Sequence, residues 1–149
     1  MVERVVIQTN TTGFAQAEAY VEHVCDHFGI TEEFGIVSSA VLAAISAISS
    51  LSDDARLNIE MGDCEGGIYC QIESDHPITQ ELMSVDIPNE GDKIGESAFA
   101  VQNFADVVTL SDDAHVLRME FFLDGVESPF ARQRQQVLKK YFASHVVEA

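Results

Sequence analysis

Two spacings of hydrophobic residues alternate along the chain and predict a mixture of helices and strands. Apolar residues recur at every third or fourth position, as on the buried side of an amphipathic helix, in four segments: 14–28, 36–48, 94–104 and 129–142. Short β-branched runs or strict apolar–polar alternation, typical of strands, occur in five more: 5–7, 55–61, 68–73, 107–110 and 116–123. The predicted order is β-α-α-β-β-loop-α-β-β-α.

Residues typical of caps and turns separate these segments. The polar cluster 9–13 precedes the first helix, Gly29 is expected to end it, and Thr31 is expected to cap the second helix. Turns are predicted at 62–67 and 111–114, each inside a β-hairpin. Paired hairpins combined with helices predict an α+β fold, in which an antiparallel or mixed sheet carries helices on one face.

The long loop 74–93 contains two prolines and little periodicity, so we expect at most one short helical turn in it. Loops of this length are either ordinary surface connections or carry function. The functional interpretation is a docking surface for a partner.

The chain of 149 residues fits one domain. We expect residues 1–128 to form its body and residues 129–149 to add an amphipathic helix, which packs on the same domain or on a neighbouring subunit. That segment is basic on one side and apolar on the other, through Arg132, Arg134, Lys139 and Lys140 and through Phe130, Val137, Leu138 and Phe142, respectively.

No charged residue occurs in 34–52, a stretch long enough to cross a membrane. It contains six serines, and acidic pairs flank it where basic anchors would be expected. We interpret it as a buried helix of a soluble domain. The N-terminus also lacks the basic start and long apolar run of a signal peptide, so a cytoplasmic location is expected.

The charge is strongly negative, with 25 acidic against 8 basic residues and a net charge of −17. Such a surface repels phosphate backbones and anionic lipid, so neither nucleic acid nor a membrane is an expected partner. The negative charge favours a basic partner protein, or serves solubility alone.

Motifs for common chemistry are missing from the sequence. It has no Walker-type phosphate loop, no His-Glu-x-x-His and no Gly-x-Ser-x-Gly. His23 and His27 have a spacing that could chelate a metal, but without a third ligand a solvated helix face is favoured, and no metal site is predicted. Cys64 and Cys70 could meet across a hairpin, although free thiols are the simpler interpretation.

Three segments, 33–50, 66–78 and 94–110, occur in an order and at a spacing that resemble a known family. The resemblance is to the small GHKL ATPase domains, in particular the anti-sigma-factor serine kinases of bacteria, and it covers about residues 3–124. It implies a two-layer sandwich of a mixed, mainly antiparallel sheet with helices on one face. It also implies a homodimer, since the family often dimerises.

The same resemblance shows where the family's chemistry is missing. Its catalytic Glu and Mg²⁺-binding Asn fall on Ala40 and Ala44, whose methyl groups offer neither a metal ligand nor a proton acceptor. Its first glycine box falls on 74–78, which keeps Asp75 but neither glycine, and its second box keeps only Gly95. If any nucleotide contact is retained, the resemblance assigns it to Asp75 and Gly95.

These departures predict a pseudo-kinase: a non-catalytic regulatory protein resembling an anti-sigma factor. It would need no cofactor and would bind a protein, such as a sigma factor or an anti-anti-sigma domain. Two alternatives remain. One is a divergent serine kinase of the anti-sigma-factor type that still uses ATP and Mg²⁺, and the other is a small-ligand module without a nucleotide role.

Overall fold

The computed structural model describes residues 4–52 and 54–123, and its elements follow the predicted order. They are β1 (Val5–Gln8), α1 (Thr11–His27), α2 (Phe34–Leu51), β2 (Arg56–Cys64), β3 (Gly67–Ser74), a short 3-10 helix (Gln80–Met83), α3 (Lys93–Phe104), β4 (Val107–Leu110) and β5 (Val116–Phe122). The predicted helix at 129–142, like the rest of 124–149, lies outside the described residues.

The five strands form one open sheet in the order β1-β2-β3-β5-β4. Each of the four pairings is antiparallel. The predicted α+β class is therefore confirmed. The described strands contain no parallel pair, so the mixed sheet that the resemblance implied is not seen in this part of the chain.

One face of the sheet is buried and the other is mostly polar. Alternate residues of the strands join the helices in a single core, and the largest of them are Leu57, Ile59, Met61, Ile72, Leu117, Met119 and Phe121. Helix α1 is tied to this face by Tyr20, whose Oη accepts a hydrogen bond from the backbone N–H of Met61 at 3.0 Å. The layers thus agree with the prediction of helices on one face.

Helix α2 lies at the centre of the helix layer. Nine of its residues are buried, among them Val37, Ala40, Val41 and Ala44 at 0% exposure. By length and composition it is the one helix in 4–52 and 54–123 that could cross a membrane. Its burial in the core is the arrangement that the sequence predicted for this segment.

The structure corrects two predicted boundaries. The residue before α2 is Glu33, which makes no side-chain capping bond, so the predicted cap at Thr31 is wrong. The predicted turn at 62–67 is confirmed but is shorter than expected, because β2 continues through Gly62 to Cys64, which pairs with Gly67, and only residues 65 and 66 form the turn. Gly62 suggested a turn, but in the strand it makes room for Tyr69, whose ring would lie 3.0 Å from an added Cβ.

Gly29 does end α1, as predicted. It has a positive φ of 69°, and the N–H of Ile30 donates to the carbonyl of Cys25 at 2.8 Å. This is the six-to-one hydrogen bond that closes a helix around a left-handed glycine.

Candidate functional site

Ala40 and Ala44 face the core. Both are 0% exposed and pack among the other buried residues of α2 and the inner face of the sheet. Their methyl groups therefore do not line a solvent-filled site. Oxygen ligands, which Mg²⁺ requires, are absent from these two positions, and water does not reach them.

Asp75 directly follows β3, and its side chain accepts a hydrogen bond from the first residue of β2. The backbone N–H of Arg56 donates to its Oδ1 at 2.8 Å, and Nδ1 of His76 lies 2.7 Å from the same oxygen. The Arg56 hydrogen bond, followed by that of His76, holds the pKa of Asp75 below its ordinary value. The side chain is half exposed, and its contacts are those of a structural carboxylate.

The segment after Asp75 closes over the core. Ile78 is 2% exposed and Leu82 is 0% exposed. The Nε2 of Gln102, on α3, donates to the carbonyl of Leu82 at 2.9 Å, which fastens this segment to the helix. Ile78, the last residue of the segment that the resemblance aligns with the first glycine box, is thus a buried aliphatic side chain.

Gly95 lies in the first turn of α3, where a free N–H could bind phosphate. Its N–H instead donates to Oδ1 of Asp92, the N-cap of the helix, at 2.9 Å. A carboxylate of the chain itself thus occupies the position that an anionic ligand would take. An added Cβ at Gly95 would lie 2.4 Å from Oδ2 of Asp92, so the glycine serves this tight cap.

A separate cleft of about 490 Å³ opens on the outer side of the helix layer. Its walls are Phe14 of α1, the outward side of α2, and Lys93, Glu96 and Ser97 at the start of α3. The α2 residues that line it are Phe34, Gly35, Ser38, Ser39, Leu42, Ala43 and Ser46. We call it the helix cleft; none of Ala40, Ala44, Asp75 and Gly95 lines it.

The helix cleft was not predicted from the sequence. The Ser-rich, uncharged composition of 34–52 predicted a buried helix. What it could not indicate is that α1 and α3 leave the outward side of α2 partly open.

Two aliphatic side chains stand out on the long loop. Val85 is 80% exposed and Ile87 is 85% exposed, the largest values among the exposed large hydrophobic residues of the described chain. The neighbouring Asp86 and Glu90 are acidic and exposed. These two side chains therefore form a small exposed apolar patch within an acidic loop.

The outer face of the sheet carries a network centred on Glu60. Its Oε1 accepts from Nε of Arg4 at 2.8 Å, and its Oε2 accepts from Oη of Tyr69 at 2.9 Å. Arg118 lies over the Tyr69 ring, with its Cζ 4.1 Å from the ring centre. The Tyr69 hydrogen bond and, after it, the Arg4 pair lower the pKa of Glu60, whose side chain is only 16% exposed.

We expect the Glu60 network to make stability pH-dependent. Because the folded state lowers the pKa, Glu60 stabilises the fold above the ordinary Glu pKa of about 4.3, and this stabilisation is lost as the pH falls through the lowered value. Glu60→Gln should cost about 1 kcal/mol at pH 7 and less near pH 3, as measured by urea unfolding. Glu65→Gln, in the exposed β2–β3 turn, controls for the loss of one charge. If Glu60→Gln lowers the unfolding free energy by the same amount at pH 7 and near pH 3, the network is contradicted.

The cysteines and histidines form no common site. Cys25, Cys64 and Cys70 are free thiols. Cys70 faces the core and Cys64 is half-buried in β2 opposite Gly67, so the alternative of a Cys64–Cys70 bridge is wrong. Burial raises the pKa of Cys25 to about 11, which keeps that thiol protonated and unreactive. Within 4–52 and 54–123, no group of three or more His, Cys, Asp or Glu side chains could hold a metal ion.

Comparison with protein-family models and with curated proteins finds no match for this chain.

Proposed function

We propose that this protein is a non-catalytic regulatory protein with a GHKL-type fold, which resembles an anti-sigma factor and acts by binding a protein partner. The fold part of the proposal is supported by the order of elements, β-α-α-β-β-α-β-β, on which the resemblance rests. The functional part is supported chiefly by one observation: Ala40 and Ala44 are completely buried where the family's catalytic Glu and Asn would be.

The remaining candidate nucleotide contacts support the same proposal. The Asp75 carboxylate is bonded to Arg56 and His76, and the Gly95 N–H is bonded to Asp92. A nucleotide would have to displace these bonds and approach Asp92 and Glu96, whose charges repel phosphate. This favours the pseudo-kinase over the divergent kinase.

The long loop is the element that we assign to the partner. Val85 and Ile87 flank the bend at Asp86, so two exposed aliphatic side chains lie close together in the chain on this loop. Acidic residues surround them, which favours a partner that presents an apolar patch with a basic rim. A sigma factor or an anti-anti-sigma domain with such a surface is the partner class that the resemblance implies.

Calorimetric titration with ATP and Mg²⁺ tests the non-catalytic part of the proposal. We expect no binding heat at nucleotide concentrations up to about 1 mM, which corresponds to less than about 4 kcal/mol of binding free energy. Binding at micromolar ATP, lost in Asp75→Asn, would contradict the proposal and support the divergent kinase.

Binding to sigma factors and anti-anti-sigma domains of the same organism, each purified separately, tests the partner. One of them should bind, and Val85→Asp with Ile87→Asp should weaken that binding at least about tenfold, or 1.4 kcal/mol. Leu51→Asp is the matched control, because Leu51 is also an exposed aliphatic residue (60%) but lies at the end of α2. If none of these proteins binds, the anti-sigma-like function is wrong.

A further inference from the structure

The outward side of α2 lacks the charged residues that a helix normally presents to water. No charge occurs in Phe34–Leu51, and the helix cleft exposes parts of Phe34, Leu42 and, from α1, Phe14. The polar side chains of α2 are all serines, and a helix of that composition is typically covered on most of its circumference. Within the described residues the inner side of α2 is covered and this outer side is not, so the cleft lacks an occupant.

The shape of the helix cleft fits another helix. Its α2 residues recur at intervals of three to four from Phe34 to Ser46, which is a straight path of about 18 Å along the helix axis. Gly35, Ser39 and Ala43 bring small side chains to the cleft at four-residue intervals, and Phe14, Phe34 and Leu42 bring large ones. Small residues at such intervals let a second helix axis come close.

A segment of the chain outside the described residues has the matching pattern. Residues 129–142 carry apolar side chains at helical spacing, and as a helix they would extend about 21 Å, close to the length of the cleft. The charges also match. Residues 1–128 contain four basic residues against 24 acidic ones, whereas 129–149 contain four basic residues and a single acid.

Strand β5 finishes at the end of the sheet formed by the β2–β3 turn. Leu123 donates its N–H to the carbonyl of Gly66, at the end of the sheet where β2 turns into β3. Helix α1 runs toward this end. Gly13, near the start of the helix, lies against Gln8 at the end of β1, and Tyr20, further along, accepts a hydrogen bond from Met61 in the second half of β2.

Helix α2 runs in the opposite direction to α1, away from that end of the sheet. Its C-terminal side is fixed at the opposite end of the sheet, where Oγ1 of Thr9 donates to the carbonyl of Ser52. The start of α2, and with it the Phe34 end of the cleft, therefore lies toward the end at which β5 finishes. Residues 124–128 add up to about 17 Å of chain for the connection.

We propose that residues 129–142 form an amphipathic helix that docks in the helix cleft of the same chain, with its apolar side on α2 and its basic side toward the acidic body. This helix would cover the open side of α2. The proposal is independent of the partner assigned to the long loop.

Hydrogen exchange on the full chain tests the proposal. Amides of 129–142 should exchange at least about tenfold more slowly than those of an unstructured peptide. Ser39→Trp, which fills the cleft, should abolish this protection, whereas Ser50→Trp, on the exposed end of the same helix, should leave it intact. Protection that is missing in the natural chain, or that survives Ser39→Trp, overturns the proposal.

Disulfide trapping identifies which copy supplies the helix. In a Cys64→Ser background, Ser39→Cys combined with Val137→Cys should form an intrachain bond on mild oxidation, and Thr109→Cys with Val137→Cys should not, because Thr109 lies on the exposed edge strand β4. A covalent dimer from the first pair would mean docking on a second copy and would overturn docking within the chain. Equal trapping by both pairs would overturn a defined docking site.

Discussion

The Ala40→Glu variant is expected to lose about 5 kcal/mol of unfolding free energy, a large part of the total stability of an ordinary domain. Ala40 is 0% exposed in the centre of the core, so the new side chain has no room, and its carboxylate has no partner among the apolar neighbours. Urea unfolding followed by circular dichroism measures the loss. Because the resemblance aligns Ala40 with the family's catalytic Glu, the same result would mean that this group cannot be introduced there by one substitution.

The matched control lies on the same helix. Ser50→Glu places the same side chain on an exposed position of α2 outside the helix cleft and should change the stability by less than about 1 kcal/mol. A stable Ala40→Glu protein with an unperturbed fold would contradict the packed core around α2. It would indicate a cavity at this position, and with it the divergent-kinase alternative would regain support.

Phe121→Ala is expected to destabilise the protein by about 3–5 kcal/mol. Phe121 is 0% exposed on β5 and is among the largest fully buried side chains of the core. Its loss leaves a void between the sheet and the helix layer that rigid neighbours fill only in part. Thermal and urea unfolding should both record the decrease.

The next residue provides the comparison. Phe122 points to the other face of the sheet and is 42% exposed, so Phe122→Ala should cost less than about 1 kcal/mol. Similar losses for the two variants would contradict the register in which Ile68 pairs with Phe121 and Gly67 pairs with Phe122.

Local patterns were sufficient to predict most of the fold. The alternation at 68–73 became β3, the helical spacing at 94–104 became α3, and Gly29 ended α1. These features depend on neighbouring residues only. The errors occurred where distant residues decide, as at Gly62, which stays in β2 because Tyr69 of β3 needs the space.

The candidate site was less predictable, because it depends on the hydrogen-bond partner of each polar group. The sequence identified Asp75 and Gly95 as candidate nucleotide contacts. It did not indicate that Asp75 accepts a hydrogen bond from Arg56 and that the N–H of Gly95 donates to Asp92. By contrast, the apolar stripe 36–48 already placed Ala40 and Ala44 on the buried side of α2, and the structure confirms this. The helix cleft required the positions of three helices at once, which no single segment of sequence contains.

The strand order has a consequence for the kinetics of folding. The β2–β3 and β4–β5 hairpins join near neighbours in the chain, but Val5 pairs with Ile59 and Glu73 with Val116. The complete sheet therefore cannot assemble until two long stretches of chain have looped back. The entropy cost of closing these loops comes before the contacts that compensate for it. Refolding should accordingly be slower than that of a helical bundle of equal length, with the hairpins forming before the sheet is complete.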